Sequence, residues 1–256
     1  MTGTTPPADS QPPAWDRWID TAGAVFNFRD IGAYTTARGR VRTGLIYRAD
    51  SLASVPATTL AGMGIRTVVD LRSDAEVSGH GRFQSAAAVT YAHCPVAYNP
   101  WDDAATSAAT VQAFLTERYL EIADIGRNGI RETLDLLADP QRRPMVFHCR
   151  AGKDRTGVLA AVLLALLGVG DDDVDADYAL SNTAYARFCA SRGHDPQAAV
   201  REAAATSSPP GTASAVLHSL RARFGSIEAY LIAIGVSPGV LYQLRESLID
   251  ASPGTS

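Results

Sequence analysis

The sequence predicts an α/β protein: a mainly parallel sheet of four or five strands flanked by helices, with additional helices toward the C-terminus. Three observations carry this. Short β-branched or apolar runs at residues 65–71, 89–96 and 145–147 alternate with longer stretches of helical spacing, as a parallel sheet covered on both faces requires. Residues 110–138 place Val111, Phe114, Leu115, Leu120, Ile122, Ile125, Ile130, Leu134 and Leu137 mostly three or four apart. The longest apolar run, residues 157–170, is fourteen residues, short of the roughly 20 that span a bilayer, so it reads as a buried helix.

In chain order, residues 1–14 are rich in Pro, Thr and Ser and read as a disordered tail. Residues 25–34 and 42–48 are predicted as strands separated by turns at Gly32, Gly39 and Gly44. Pro56 opens a short helix that Gly62 and Gly64 end, and Ile65 begins a strand. Ser73 with Glu76 is a capping-box pattern, so a helix starts as that strand ends. Gly126 and Gly129 split residues 110–138 into two helices, and Pro140 with Pro144 separates them from the strand at Met145. Past Gly170 the chain reads as entirely helical, with Asp171, Asp172 and Asp173 as caps for one helix and Ser226 and Ser237-Pro238 opening two more. The Ser-Ser-Pro-Pro-Gly-Thr stretch at residues 207–212 is an internal linker. The expected organisation is one domain over residues 15–250, with 172–224 a helical lid or insert.

Composition narrows the function. Among 256 residues, 46% are hydrophobic and 20% charged, which permits a sizeable core. The formal net charge of −4 argues against a nucleic-acid binder, which carries clustered Lys and Arg. Cys94, Cys149 and Cys189 are too few and too far apart for a disulfide framework or a zinc cage, so a reducing compartment is expected. Residues 1–13 show neither the basic nor the apolar region of a secretory leader. A cytoplasmic protein is expected, with non-classical export left open.

Chemistry concentrates in one segment, His148-Cys149-Arg150-Ala151-Gly152-Lys153-Asp154-Arg155-Thr156-Gly157, between a buried strand and an apolar helix. A strand-to-helix loop gathers backbone N–H groups that lack intrahelical partners and adds the positive end of the helix dipole, so it suits an oxyanion, phosphate above all. Helix N-termini and nearby cations favour the thiolate, which makes Cys149 a candidate nucleophile. Five residues separate it from Arg155, enough for the loop to wrap a tetrahedral anion and return a guanidinium fork matched to two phosphoryl oxygens. Thr156 can donate its hydroxyl to the sulfur. A nucleotide P-loop does not fit, because Asp154 follows Gly152-Lys153 where a Mg²⁺-binding Ser or Thr would stand. A sulfurtransferase and a catalytically silent phosphate-binding module are the remaining rivals.

The Cys-x5-Arg-Thr loop with its preceding His resembles the signature of the cysteine-dependent protein-tyrosine phosphatases, in its fuller form that of a bacterial branch acting on phosphotyrosine and, in some members, phosphoserine, phosphothreonine or phosphoinositides. Asn27-Phe28-Arg29-Asp30-Ile31-Gly32, Asp70-Leu71-Arg72-Ser73 with Glu76, Ala176-Asp177-Tyr178 with Ser181-Asn182, and Gly225-Ser226 through Tyr230-Leu231 are similar to that branch too, so the likeness covers about residues 24–248. The resemblance implies that Cys149 attacks phosphorus to form a phosphocysteine and that Arg155 holds the phosphoryl group. It implies that Arg150, Ala151, Gly152, Lys153 and Thr156 complete the cradle, with no metal. The proton for the leaving group is assigned to Asp154, with Asp102 or Asp103 of Pro100-Trp101-Asp102-Asp103 and Asp70 as alternatives. The substrates implied are phosphorylated proteins, phosphotyrosine first, with phosphoinositides as the rival class.

Other residues carry plainer expectations. His148 orients the loop rather than acting as a base; Cys94 and Cys189 belong to the core, with Cys94 a lesser candidate for a redox partner of Cys149. Arg29, Arg38, Arg40, Arg42 and Arg48 against Asp30 and Asp50 give residues 27–50 a local charge of 5 − 2 = +3, read as a solvated edge or, second, as a cationic rim for acidic substrates.

Overall fold

The computed structural model describes residues 17–100, 108–194 and 206–251. The predicted tail and the candidate acids Asp102 and Asp103 lie outside the described residues.

Eight strands and nine α-helices occur among the described residues. Strand β1 (Arg29–Asp30) leads through a small hairpin, β2 (Thr35–Thr36) and β3 (Gly39–Val41), into β4 (Ile46–Ala49). Helix α1 (Ala57–Gly62), β5 (Thr67–Asp70), α2 (Asp74–His80) and β6 (Thr90–His93) follow. Helices α3 (Ala108–Ile125) and α4 (Arg127–Ala138) and a short 3₁₀ turn then lead to β7 (Met145–His148) and α5 (Asp154–Leu166). The C-terminal part holds α6 (Asp171–Ser191), α7 (Thr212–Phe224), α8 (Ile227–Ala233), α9 (Pro238–Leu248) and β8 (Ile249–Asp250).

The main sheet runs β1-β4-β7-β5-β6, parallel except for β1, and β2-β3-β8 make a second, antiparallel sheet. Strands β5 and β7, near its centre, are buried at every position, the pattern of strands covered on both faces. Alternation then sorts the side chains. Val68 and Val146 pack with Leu52, Leu60 and Phe83 on the α1 face, whereas Val69 and Phe147 face the larger core built by α3 to α9. Helix α5 sits inside that core, so nearly every one of its residues is buried, whereas α4 buries one stripe, including Ile130, Leu134 and Leu137.

Ser73 completes the capping box, accepting from the Glu76 amide at 3.3 Å while its own amide donates to Glu76 Oε2 at 2.9 Å. Ser226 and Ser237 cap α8 and α9 by the same kind of bond. The predicted break in the long helical stretch falls at Gly126, where a Cβ would meet Val96 Cγ1 at 2.5 Å, so glycine admits the chain that leaves β6.

Three readings change. Asp171, Asp172 and Asp173 do not cap α6: Gly170 holds the cap position and the three carboxylates fill the first turn, where they complement the helix dipole. The C-terminal part is not wholly helical, since Ile249–Asp250 pairs with β3. The run of arginines is only partly a solvated edge. Arg38 and Arg42 are exposed and pair with Glu246 and Asp250, but Arg29 and Arg48 are 0% and 1% exposed.

The register decides where the site forms. Ala49, His148, Asp70 and His93 line up across the parallel strands, so the chain that follows each one leaves at the same sheet edge. Because β1 runs antiparallel, residues 26 and 27 arrive at that edge as well.

Candidate active site

Residues 149–153 form the loop from β7 into α5. Its carbonyls are tied back one after another. Cys149 O accepts from His148 Nδ1 at 3.0 Å and Arg150 O from the Ser51 amide at 3.0 Å. Ala151 O accepts from Asn27 Nδ2 at 2.9 Å and Gly152 O from Arg48 Nη2 at 2.7 Å. A trans peptide sets each following N–H opposite to its carbonyl, so the amides of Arg150, Ala151, Gly152 and Lys153 turn to the other side, into the curve of the loop. Gly152 makes this possible: its φ is +66° and a Cβ there would meet Ala49 O at 2.5 Å.

A buried charge network holds the two donors behind the loop. Asp177 of α6 accepts from Arg29 Nε at 3.0 Å and from Arg48 Nη1, and its carbonyl accepts from Arg29 Nη2 at 2.8 Å. Burial alone would raise the Asp177 carboxyl, but the two guanidinium groups outweigh it and hold it at about 2. Arg29 Nη1 also donates to Asn27 Oδ1, and the Asp50 carboxylate accepts from the amides of Phe26 and Asn27, which fixes the side chain that reaches Ala151.

Cys149 is 1% exposed at the floor, within electrostatic reach of Arg155 and Arg48. His148 is wholly buried, and that burial, with Arg72 and Arg155 nearby, pushes its imidazole below the ordinary value against the pull of Asp70. It stays neutral, with Nδ1–H spent on the Cys149 carbonyl. It therefore orients the loop.

Arg155 leaves the first turn of α5 and meets Glu76 of α2 in a two-pronged pair, Nη1 to Oε2 at 2.6 Å and Nη2 to Oε1 at 2.8 Å. Its Cζ lies 4.4 Å from the centre of the Tyr98 ring. Burial opposes ionisation of Glu76, yet the Arg155 hydrogen bond and the capping bonds from Ser73 prevail and bring it down to about 2. The same pairing raises Arg155 despite its burial.

Asp154 stands beside the loop with its side chain 24% exposed; Oδ1 accepts from the Tyr119 hydroxyl at 2.6 Å and lies 3.5 Å from Lys153 Nζ. Lys153 is itself buried and donates to Ser207 O at 3.1 Å. The 207–208 stretch, predicted as linker, is held there: Asn182 Nδ2 donates to Ser208 O and the Ser208 amide to Asn182 Oδ1. Thr156 Oγ1 is buried without a hydrogen-bond partner among the described residues.

Asp70 is a poor acid. It accepts four bonds from Arg72 and one from the Tyr91 hydroxyl, and the bonds and charge of Arg72, with His148, outweigh burial to lower its carboxyl below the usual range. Cys94 has its thiol pushed up to about 11, chiefly by burial, which suits a core residue. The roles of Arg48, Tyr98 and Tyr119 carry no motif. For Arg48 the available signal was a charge facing the same way as Ile46 in a buried strand, which demands a buried partner.

A model of the tyrosine phosphatase family matches residues 21–250. A Cupriavidus necator protein named as a tyrosine-protein phosphatase is 34% identical over 174 residues, covering 64% of this chain and 63% of that one. A tyrosine-protein phosphatase of Nostoc commune is 27% identical over 206 residues, covering 75% and 69%. The triple specificity protein phosphatase PtpB of Mycobacterium tuberculosis is 31% identical over 192 residues, covering 62% and 67%. The chain thus spans between 63% and 69% of these relatives' lengths.

Proposed function

Since the chain belongs to the tyrosine phosphatase family, we propose that it hydrolyses phosphate monoesters of proteins, phosphotyrosine foremost, through a phosphocysteine on Cys149. One observation carries the reading: the carbonyls of residues 149–152 are all bonded behind the loop, which turns its amides toward the place a phosphoryl group would fill. Fixed donors of this kind are worth roughly 3 kcal/mol each when aimed at charge that grows in the transition state.

In the first step the Cys149 sulfur attacks phosphorus, the bond to the leaving oxygen breaks, and Asp154 gives that oxygen a proton. Arg155, aimed by Glu76, takes two phosphoryl oxygens, and the amides from Arg150 to Arg155 take the charge on the others. In the second step water attacks phosphorus, its proton passes to the Asp154 carboxylate, and the P–S bond breaks. The unpartnered Thr156 hydroxyl is available to donate to the departing thiolate. Residues 15–250 are read as one domain with 172–224 as a helical lid or insert; of its described residues, Asp177 anchors the arginine behind the loop and the Ser207 carbonyl accepts from Lys153 within it. Three free, buried cysteines suit the cytoplasm.

A phosphoinositide headgroup would call for a second free cation. Lys153 of the loop is buried against Ser207 and Asp154 whereas Arg150 is exposed, so the phosphotyrosine reading leads on the family and not on the loop's charge. The test is phosphate release from phosphotyrosine peptides and from phosphoinositide vesicles. Wild type should turn over the peptides faster, and Cys149→Ser should lose turnover, by 10⁴-fold or more (on the order of the loss of a nucleophile), while still binding the peptide. No turnover by wild type would leave a silent phosphate-binding module.

A further inference from the structure

We propose that Tyr119 is a positioning residue that fixes Oδ2 of Asp154 as the oxygen which hands over the proton. This rests on the reading of Asp154 as the acid. The hydrogen bond to the Asp154 carboxyl, from the Tyr119 hydroxyl, and the shortest approach of Lys153 Nζ both fall on Oδ1, and no hydrogen bond to Oδ2 occurs among the described residues. The Tyr119 hydroxyl also lies 2.7 Å from the Tyr178 hydroxyl. A phenol has one hydrogen. As Tyr119 spends its own on Asp154, Tyr178 must donate to Tyr119, and the two rings form a one-way chain of donors ending on Oδ1.

The chain is rigid and dry. Tyr119 and Tyr178 are 2% and 1% exposed and meet edge to face, with ring centres 5.8 Å apart. Burial raises both phenols, so neither ionises in the range where the enzyme would work. A hydroxyl that always donates to Oδ1 bars a proton from that oxygen, and the transferred proton sits on Oδ2. Removing the Tyr119 hydroxyl takes one charge-assisted hydrogen bond from the carboxylate.

The other charged or titratable groups around Asp154 are Lys153, Arg155 and Cys149 on its own loop and helix, and Tyr98 after β6; Arg48 of β4 lies near Tyr178. On the remaining helices packed against α5, Arg221 and Arg223 are engaged with Asp171 and Asp124, Glu228 with Arg245, and His218 is exposed.

The test compares wild type, Tyr119→Phe and Tyr178→Phe across aryl phosphates whose phenols range from acidic to basic, with kcat/KM, which reports the step that expels the phenol, followed against pH. Tyr119→Phe should lose about 10-fold in kcat/KM on the most basic phenol and little on the most acidic, which needs no proton. Its alkaline limb should move up by about one pH unit, the equivalent of one hydrogen bond to a charged group. Tyr178→Phe should move the limb the same way by less, and it carries the test if Tyr119→Phe fails to fold. An alkaline limb unmoved in whichever variants fold, or an equal loss on every phenol, overturns the proposal while leaving the phosphatase reading intact. A wild type inactive on every ester overturns both.

Discussion

The two sides of the phosphate loop are built from the same chemistry, ion pairs of arginine with carboxylate, yet they differ in burial. Behind the loop, Arg29, Arg48 and Asp177 are all sealed, with side chains at most 1% exposed. In front, Arg155 and Glu76 keep 5% and 16% of their side-chain surface, and Asp154 keeps 24%. A sealed pair must always be satisfied, because losing one partner strands a charge away from water, so the rear network is a scaffold. The front pair spends only two of the five guanidinium N–H donors on Glu76, so Arg155 can take phosphoryl oxygens with the rest while Glu76 still holds it. The contrast separates residues whose loss unfolds the protein from residues whose loss stops it.

The sharpest way to break this contrast is Asp177→Asn. It leaves two buried guanidinium groups without a counter-charge, and we expect a loss of about 3–5 kcal/mol in denaturant unfolding, with activity falling through the folded fraction. A well-folded Asp177→Asn of nearly native stability would show that the rear network is no scaffold. Next in size is Gly152→Ala. The left-handed backbone alone costs about 1–3 kcal/mol for a residue with a side chain, and the added methyl would press on the Ala49 carbonyl. As the strain falls on the loop itself, phosphate or vanadate affinity should drop more than the melting midpoint does, which titration calorimetry beside thermal melting would reveal.

What the sequence made legible divides along the same line. The phosphate loop could be read because its residues are contiguous: Cys149, Arg155 and the strand-loop-helix context fall within ten positions. The capping box at Ser73 and Glu76 was legible for the same reason. The rear network was not. Arg29 and Asp177 are 148 positions apart, and Arg48 and Asp177 are 129 apart, so only the topology of the sheet and α6 brings them together. A local charge count placed those arginines at a solvated edge because it weighs neighbours in sequence and is blind to a carboxylate on a distant helix. The stretch at 207–212 shows the limit from the other direction. Its turn chemistry was sound, with Gly211 at φ +81°, but nothing local revealed that Asn182 and Lys153 would hold it against the site. Tyr119 is not among the positions that the helical spacing picks out, and its hydroxyl matters only once α5 has placed Asp154 opposite.

Glu76→Gln sharpens the comparison with the smallest perturbation. Glutamine still serves in a capping box, so α2 should stay capped while Arg155 loses its charged partner. We expect kcat/KM to fall by about 10-fold or more, one charge-assisted bond's worth, and the melting midpoint to drop too, though by less than in Asp177→Asn, because only one guanidinium loses its counter-charge. The pH dependence gives an independent sign. The folded-state value of Glu76, about 2, lies below its ordinary 4.5, so its contribution to stability is fully present above pH 4.5 and is lost as the pH falls toward 2. The stability gap between wild type and Glu76→Gln should therefore be constant from pH 7 to pH 5 and narrow below that, as read from urea midpoints. Asp177, held at about 2 from an ordinary 3.8, titrates in nearly the same window, but its contribution is common to both proteins and cancels in the difference. A gap that widened on acidification would mean that Glu76 is held protonated by its surroundings, and the pairing that aims Arg155 would then have no charge behind it.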